Sequence, residues 1–204
     1  MKTKILLACL LSCLLLGGLR AQTPRMKPIF NGKNLNGWQV PPDNIWFTAQ
    51  NGVLSIKNGP EKRGMILWTK KSYKNFVVQA DFRMGEGTVD SGIFLRSDQA
   101  PNPQIQIGIS GSLGRDMTGS PYVPGKGYPV EAQGVADLLN PHDWNTLRVL
   151  AIGNTYTVWL NGSQVMTYEG DTEGAVLKGP VGLQLHANRD MAIDFRNIMI
   201  GRVK

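Results

Sequence analysis

Apolar and polar residues alternate along most of the chain beyond residue 22, and few stretches repeat apolar residues at helical spacing. In FVVQADFRM (76–84), Phe76, Val78, Ala80 and Phe82 fall in phase, which predicts a strand with one buried face. SGIFLRS (91–97), NTLRVLAI (145–152) and TYTVWL (155–160) follow the same rule. GPVGLQLHA (179–187) and AIDFRNIMIG (192–201) read as two closing strands. Asn161-Gly162, between TYTVWL and SQVMTY, predicts a hairpin, because both central residues of a type I′ turn need positive φ. Only VADLL (135–139) looks helical, for one or two turns ending at Asn140-Pro141. In NPQIQIGIS (102–110), Ile105, Ile107 and Ile109 share one face, leaving Gln104 and Gln106 together on the other.

Many short strands separated by turn signals predict an all-β fold, a β-sandwich or jelly roll of antiparallel sheets. No internal repeat or linker interrupts the pattern, so residues 22–204 are expected to form a single domain. A long Gly- and Pro-rich loop, 111–133, stands out, and long loops in compact β domains often carry function.

The first 21 residues change the picture. Lys2 and Lys4 precede an apolar run from Ile5 to Leu16, and Leu19-Arg20-Ala21 offers a cleavage site. This is the pattern of a secretory signal peptide and is too short for a spanning helix. The apolar run continues past Cys9 and Cys13, which argues against lipid attachment at either. The remaining 183 residues then contain no cysteine, so neither disulfides nor thiolate chemistry is expected. The formal charge of +7 falls to +4 once Lys2, Lys4 and Arg20 leave. That excess is spread along the chain without a basic block or interleaved aromatics, which argues against a nucleic-acid partner. No second stretch is long enough to cross a membrane.

Candidate chemistry is sparse. His142 and His186 lie far apart, and neither belongs to a metal-binding spacing. EGTVD (86–90) and EGDTE (169–173) lack a calcium-loop pattern, so no metal is assigned, and calcium held by loop oxygens stays open. No Gly-x-Ser-x-Gly elbow occurs. A conventional glycosidase needs two carboxyl groups about 5–10 Å apart. Asp90, Asp116 and Glu131 are the best-placed single acids, but sequence pairs none of them. Arg96, in GIFLRSD, is expected to face solvent, a carboxylate or a ligand, because burying it alone is costly. His186 alternates with Gln184 on the polar side of its strand. If these strands are neighbours, Arg96, Gln104, Gln106, Gln184 and His186 form a platform of amides, imidazole and guanidinium suited to sugar hydroxyls. A merely wet sheet face produces the same alternation. Trp144 and Trp159 are expected in the core, with Trp38, Trp46, Trp68 and the tyrosines left as candidates to stack on a sugar face.

At these residues the chain resembles a known family. IFNGKNLNGW (29–38), LWTKKSYKNFVVQADFRM (67–84) and DSGIFLRS (90–97) are similar to the domain of unknown function 1080, the 3-keto-disaccharide hydrolase domain. DWNTLRVLAIGNTYTVWLNG (143–162) and GPVGLQLHANRDMAIDFRNIMI (179–200) are similar to its second half. The resemblance implies a concanavalin A-like jelly roll with a concave sheet face, a saccharide ligand, and export to the periplasm or outer surface. It also implies hydrolysis of 3-keto-disaccharides or related 3-keto-glycosides.

A C3 ketone acidifies the C2 hydrogen, so cleavage needs one base and one group to hold an enolate oxygen. His186 matches the family's histidine and is assigned as the base; Arg96 matches its arginine and is assigned to the oxyanion. One departure matters. Where the family usually shows Tyr-Glu-x-Gln with an Asp shortly after, this chain reads Pro103-Gln104-Ile105-Gln106, with Ile109 at the Asp position. Asp90, Asp116 or Glu131 is then the substitute acid, with Asp90 assigned to catalysis and Gln104, Gln106, Gln184, Asp116 and Glu131 to substrate binding. The alternatives are a carbohydrate-binding module that uses the same face without turnover and a structural subunit of an envelope complex.

Overall fold

The computed structural model describes residues 24–203, so the segment read as a signal peptide lies outside the described residues. The chain begins with five short strands: β1 (Lys27–Pro28), β2 (Trp38–Gln39), β3 (Phe47–Gln50), β4 (Val53–Lys57) and β5 (Met65–Thr69). Then come β6 (Phe76–Gly87), β7 (Asp90–Leu95), β8 (Gln104–Gly108) and β9 (Pro121–Tyr122). A single helical turn, α1 (Val135–Leu138), leads to β10 (Asn145–Ile152), β11 (Thr155–Leu160) and β12 (Ser163–Glu169). β13 (Val181–Leu185) and β14 (Met191–Arg202) complete the fold.

These strands form two antiparallel sheets. The larger runs β12-β11-β10-β6-β14-β4-β3, with β1 added beside β14; the smaller runs β2-β5-β13-β7-β8-β9. The predicted jelly-roll sandwich is therefore the observed one. Between the sheets lies one core. Val78, Ala80, Phe82, Leu147, Val149, Ile193 and Phe195 meet Ile93, Leu95, Ile105, Ile107, Leu183 and Leu185, all essentially without solvent exposure. Each buried Leu or Ile contributes roughly 1.5–3 kcal/mol relative to exposure, so the alternation alone fixes which side of each strand turns inward.

The Asn161-Gly162 turn has positive φ at both positions, 50° and 89°, as the hairpin requires. β14 bulges twice, between Met191 and Ile193 and between Arg196 and Met199, which lengthens it beyond a regular ladder. The alternation analysis assigned no strand before Phe76, yet five occur there. They span only 2–5 residues, too few for a period to show.

Trp144 and Trp159 do not fill the core. Both lie on the outer face of the larger sheet. Trp144 packs against the guanidinium groups of Arg196, 4.0 Å from its ring centroid, and Arg83, at 4.8 Å. Trp159 sits across the ladder from Arg148, 5.9 Å away. Cation–π stacking covers these rings where no second sheet does. Among the described residues, no helix is long and apolar enough to cross a membrane.

Candidate functional site

The candidate site lies on the outer face of the smaller sheet. Core packing turns Ile93, Ile105 and Leu183 inward, so their strand neighbours must point out. Register then aligns them: Phe94 stands between Gly182 and Gln104, Gly92 lies opposite Gln106, and Gln104 pairs with Tyr122. Above this face opens a pocket of about 490 Å³. Asp90, Gln104, Gln106, Gln184, His186 and Arg189 line it, with Tyr122 and Tyr128 from the long loop. The strand pairing thus brings together five of the eight residues singled out in the sequence.

Asp90 is the fixed point, with 2% of its surface exposed. Its Oδ1 accepts a 2.8 Å bond from Gln106 Nε2, and its Oδ2 accepts one of 2.9 Å from the Gly111 backbone N–H. Arg189 Nη2 stands 3.5 Å from the same Oδ2, and His186 Nε2 stands 3.8 Å from it. Gly111 lets Arg189 come this close: a Cβ there would fall 2.1 Å from Arg189 Nη2 and push the guanidinium aside. The two N–H donors and the Arg189 guanidinium satisfy a buried carboxylate that would otherwise be strongly disfavoured, with the His186 ring at its open side.

From Asp90 the polarity propagates outward. Because Gln106 spends its Nε2 on Asp90, its Oε1 is left to accept from Gln104 Nε2, at 3.4 Å. Gln104 Oε1 is in turn buried with no partner among the described residues, and so is Gln184 Oε1. Gln104 Oε1 leans over Gly92, where a Cβ would stand 3.0 Å away. Two unpaired carbonyl oxygens beside a bare stretch of backbone are acceptors awaiting hydroxyl donors.

His186 is 40% exposed at its side chain. Its Nδ1 lies 2.8 Å from the Ala187 carbonyl oxygen, which can only accept. Nδ1 therefore carries the hydrogen, and in the neutral ring Nε2 keeps its lone pair. Tyr128 contributes a hydroxyl whose pKa is pushed up to about 12, mainly by burial, with a hydrogen bond to Ser110 opposing. It remains a proton-bearing donor at neutral pH. Tyr122 meets it edge to face at 5.3 Å. The arrangement supplies a lone pair backed by a carboxylate, a guanidinium and a phenol able to hold a developing negative oxygen, and acceptors for hydroxyls.

Three residues singled out in the sequence lie elsewhere. Arg96 is 2% exposed and faces neither solvent, carboxylate nor pocket. Its φ of +73° ends the alternation of β7 and turns the side chain inward. Nε donates to the Lys74 carbonyl at 2.9 Å and Nη1 to the Gly153 carbonyl at 2.7 Å, with Tyr156 Oη at 3.3 Å. The Phe76 and Tyr156 rings pack around it. Burial lowers its pKa, and Tyr156 partly restores it. It lies about 20 Å of strand away from Asp90. Asp116 accepts from the Thr118 N–H and closes a turn of the loop. Glu131 is exposed and paired with Arg115, which lowers its pKa. Neither acid lines the pocket.

The sequence analysis missed Arg189, and it held Tyr122 and Tyr128 only within the tyrosines as a group of stacking candidates. The one available signal was Arg189's position three residues after His186, where a turn at Asn188 (φ 57°) returns the chain toward β7. A larger cleft of about 830 Å³ opens beside β1, lined by Arg25, Lys27, Lys70, Lys71 and Arg202. Its lining includes no Asp, Glu or His, so it offers no acid–base pair. Among the described residues, no group of three or more His, Asp or Glu gathers where it could hold a metal.

Comparisons with known proteins agree with this architecture. Residues 25–201 match the model of the 3-keto-alpha-glucoside-1,2-lyase-like domain. Two proposed glycosyl hydrolases of Parabacteroides distasonis ATCC 8503 have similar structures. One is 25% identical with a TM-score of 0.67, covering 88% of this chain and 100% of its own. The other is 21% identical with a TM-score of 0.65, covering 88% and 94%. The carbohydrate-binding module CBM66 of Bacillus subtilis shares the fold at 15% identity and a TM-score of 0.57, over 83% of this chain and 98% of its own. No curated protein sequence matches significantly.

Proposed function

The chain belongs to the 3-keto-alpha-glucoside-1,2-lyase-like domain family, and on that premise we propose that it cleaves 3-keto-glycosides by 1,2-elimination. Family and fold relatives together support a carbohydrate-related role. The reaction itself is argued from the site. In a 3-keto sugar the C3 carbonyl acidifies the C2 hydrogen. His186 Nε2 takes that proton, the C–H electron pair enters an enolate with its negative oxygen on C3, and Arg189 holds that oxygen. Collapse restores the carbonyl, forms a C1=C2 double bond and breaks the C1–O bond. The aglycone leaves as an alcohol, with its proton supplied by the imidazolium or by water. Addition of water across the double bond then gives the free 3-keto sugar, a net hydrolysis.

The observation that carries this reading is the His186 ring. Its Nδ1–H is anchored on Ala187, and its Nε2 faces the pocket 3.8 Å from a buried carboxylate able to stabilise the imidazolium. The unpaired oxygens of Gln104 and Gln184 would orient the sugar through its hydroxyls. One feature favours a second reading, a binding module without turnover: the family's glutamate is replaced by Gln104, leaving an amide surface beside Asp90.

The test is to offer the protein trehalose, sucrose and cellobiose and their 3-keto forms, with and without chelator, and to follow released sugar and enone absorbance. Release from the keto forms alone, abolished by His186→Ala, supports elimination. Binding of either form without release supports the module, and loss of release with chelator would bring loop-bound calcium into the mechanism.

A further inference from the structure

A second depression adjoins the polar pocket. It holds about 460 Å³ and is walled by Trp68, Ile66 and Met65, and it shares Gln184, His186 and Asp98 with its neighbour. The two halves differ in chemistry. One is lined by acids, amides and hydroxyls; the other offers an indole and aliphatic surface. His186 stands on the boundary.

The indole is seated there by the backbone. Trp68 lies opposite Gly182 in the β5–β13 ladder, and Ile66 lies opposite Gln184. A Cβ at Gly182 would be 2.5 Å from Ile66 Cγ2 and 2.7 Å from Trp68 Cε3, so the ring rests directly on bare backbone. Phe94 braces it edge to face at 5.7 Å. A flat, partly exposed, immobilised ring is a stacking surface for another flat or ring-shaped group.

We propose that Trp68 forms the leaving-group subsite, and that it selects substrates whose aglycone is a ring, either a second sugar or an aromatic alcohol. This rests on the elimination reading. With the C2 hydrogen at His186, the oxidised sugar occupies the polar pocket, where Arg189 and the unpaired Gln104 oxygen lie. The C1 substituent then crosses the boundary onto the indole. A small alkyl aglycone would leave that surface uncovered.

The test compares two 3-keto-α-glucosides whose leaving groups have matched acidity, one carrying phenol and the other a fluorinated alkyl alcohol. Trp68→Ala is expected to lower kcat/KM for the phenyl substrate about tenfold and to change the alkyl substrate by less than about twofold. Trp68→Phe should retain most of the preference, and Gly182→Ala, which lifts the indole, should lose it. Equal losses on both substrates, or none, would overturn the proposal.

Equilibrium binding of phenyl and alkyl α-glucosides without the ketone separates the subsite from the reaction. If neither keto substrate is turned over, the elimination reading fails. A phenyl preference lost in Trp68→Ala would then still support the subsite, and no preference in the unmodified protein would overturn it.

Discussion

His186 Nε2 and Asp90 Oδ2 face each other at 3.8 Å, yet their side chains are 40% and 3% exposed. The imidazole meets the ligand while the carboxylate is locked from behind by Gln106 and Gly111. Asp90→Asn puts an amide where two donors already point, and only one of its ends can accept. The variant should be less stable by about 1–3 kcal/mol in a denaturant titration. Turnover should fall further than that loss explains, because the imidazolium has lost its counter-charge. Unchanged stability would mean that the carboxylate bonds contribute nothing to the fold.

His186→Ala removes a half-exposed ring whose described hydrogen bond runs to the adjacent residue's carbonyl. Its melting curve should overlay the parent within about 0.5 kcal/mol. Release from 3-keto-glycosides should fall about 10²–10⁴-fold, the usual contribution of a positioned base. A variant retaining a tenth of the activity would remove His186 from the proton transfer.

The two arginines should separate cleanly. Arg189→Met is expected to fold and bind weakly, with kcat lost. Arg96→Met deprives the Lys74 and Gly153 carbonyls of a charged donor, at a cost of about 3 kcal/mol or more. Any activity it loses should follow its folded fraction. Denaturation midpoints and kcat measured on both variants decide the matter, and the opposite pattern would return the oxyanion role to Arg96.

Gln104→Glu restores the family's usual residue to a position where Gln106 now offers its oxygen. The introduced carboxylate would confront that oxygen and lie close to the Asp90 network, so its folded pKa should be raised. The variant should be less stable than the parent at pH 7, with the deficit shrinking as pH falls and vanishing below the unfolded pKa of about 4.3, toward about pH 3, where the carboxyl is neutral in both states. A deficit independent of pH would show that Gln106 simply turns over to donate.

Burial raises the pKa of Tyr128 to about 12 and shifts Tyr73, Tyr156 and Tyr168 upward as well. Their unfolded values are near 10, so the native state holds protons that the unfolded state releases. The stability present below about pH 10 should therefore be lost as pH rises toward 12. Absorbance at the phenolate band should show late-titrating tyrosines, and Tyr128→Phe should remove one of them. Complete titration near pH 10 with the fold intact would contradict this.

How far the site was legible depends on which residues obey the strand period. Gln104, Gln106 and Gln184 sit on uninterrupted ladders, and His186 follows the end of β13 by one residue without a positive φ, so period-two alternation placed all four on the outer face. Arg96 was misplaced because the same rule was extended one residue beyond the strand, past a positive φ that only tertiary packing imposes. Arg189, Tyr122 and Tyr128 come from turns and the long loop, whose return to the sheet is set by its partners. The trptophan assignments failed for another reason: size predicts a buried ring, but arginine stacking covers Trp144 and Trp159 without a core.

The order of strands in space differs from their order in the chain, and this has a consequence for assembly. β14, the last strand, sits between β6 and β4 in the larger sheet, and β13, the one before it, separates β5 from β7 in the smaller. The smaller sheet cannot close around its middle until β13 has been made, nor the larger until β14 has. Asp90 and His186 meet only when β13 inserts beside β7, which closes a loop of nearly a hundred residues. The chain should thus pass its synthesis as an open polymer, fold late and slowly as non-local β topologies do, and gain its site in the same step as its stability.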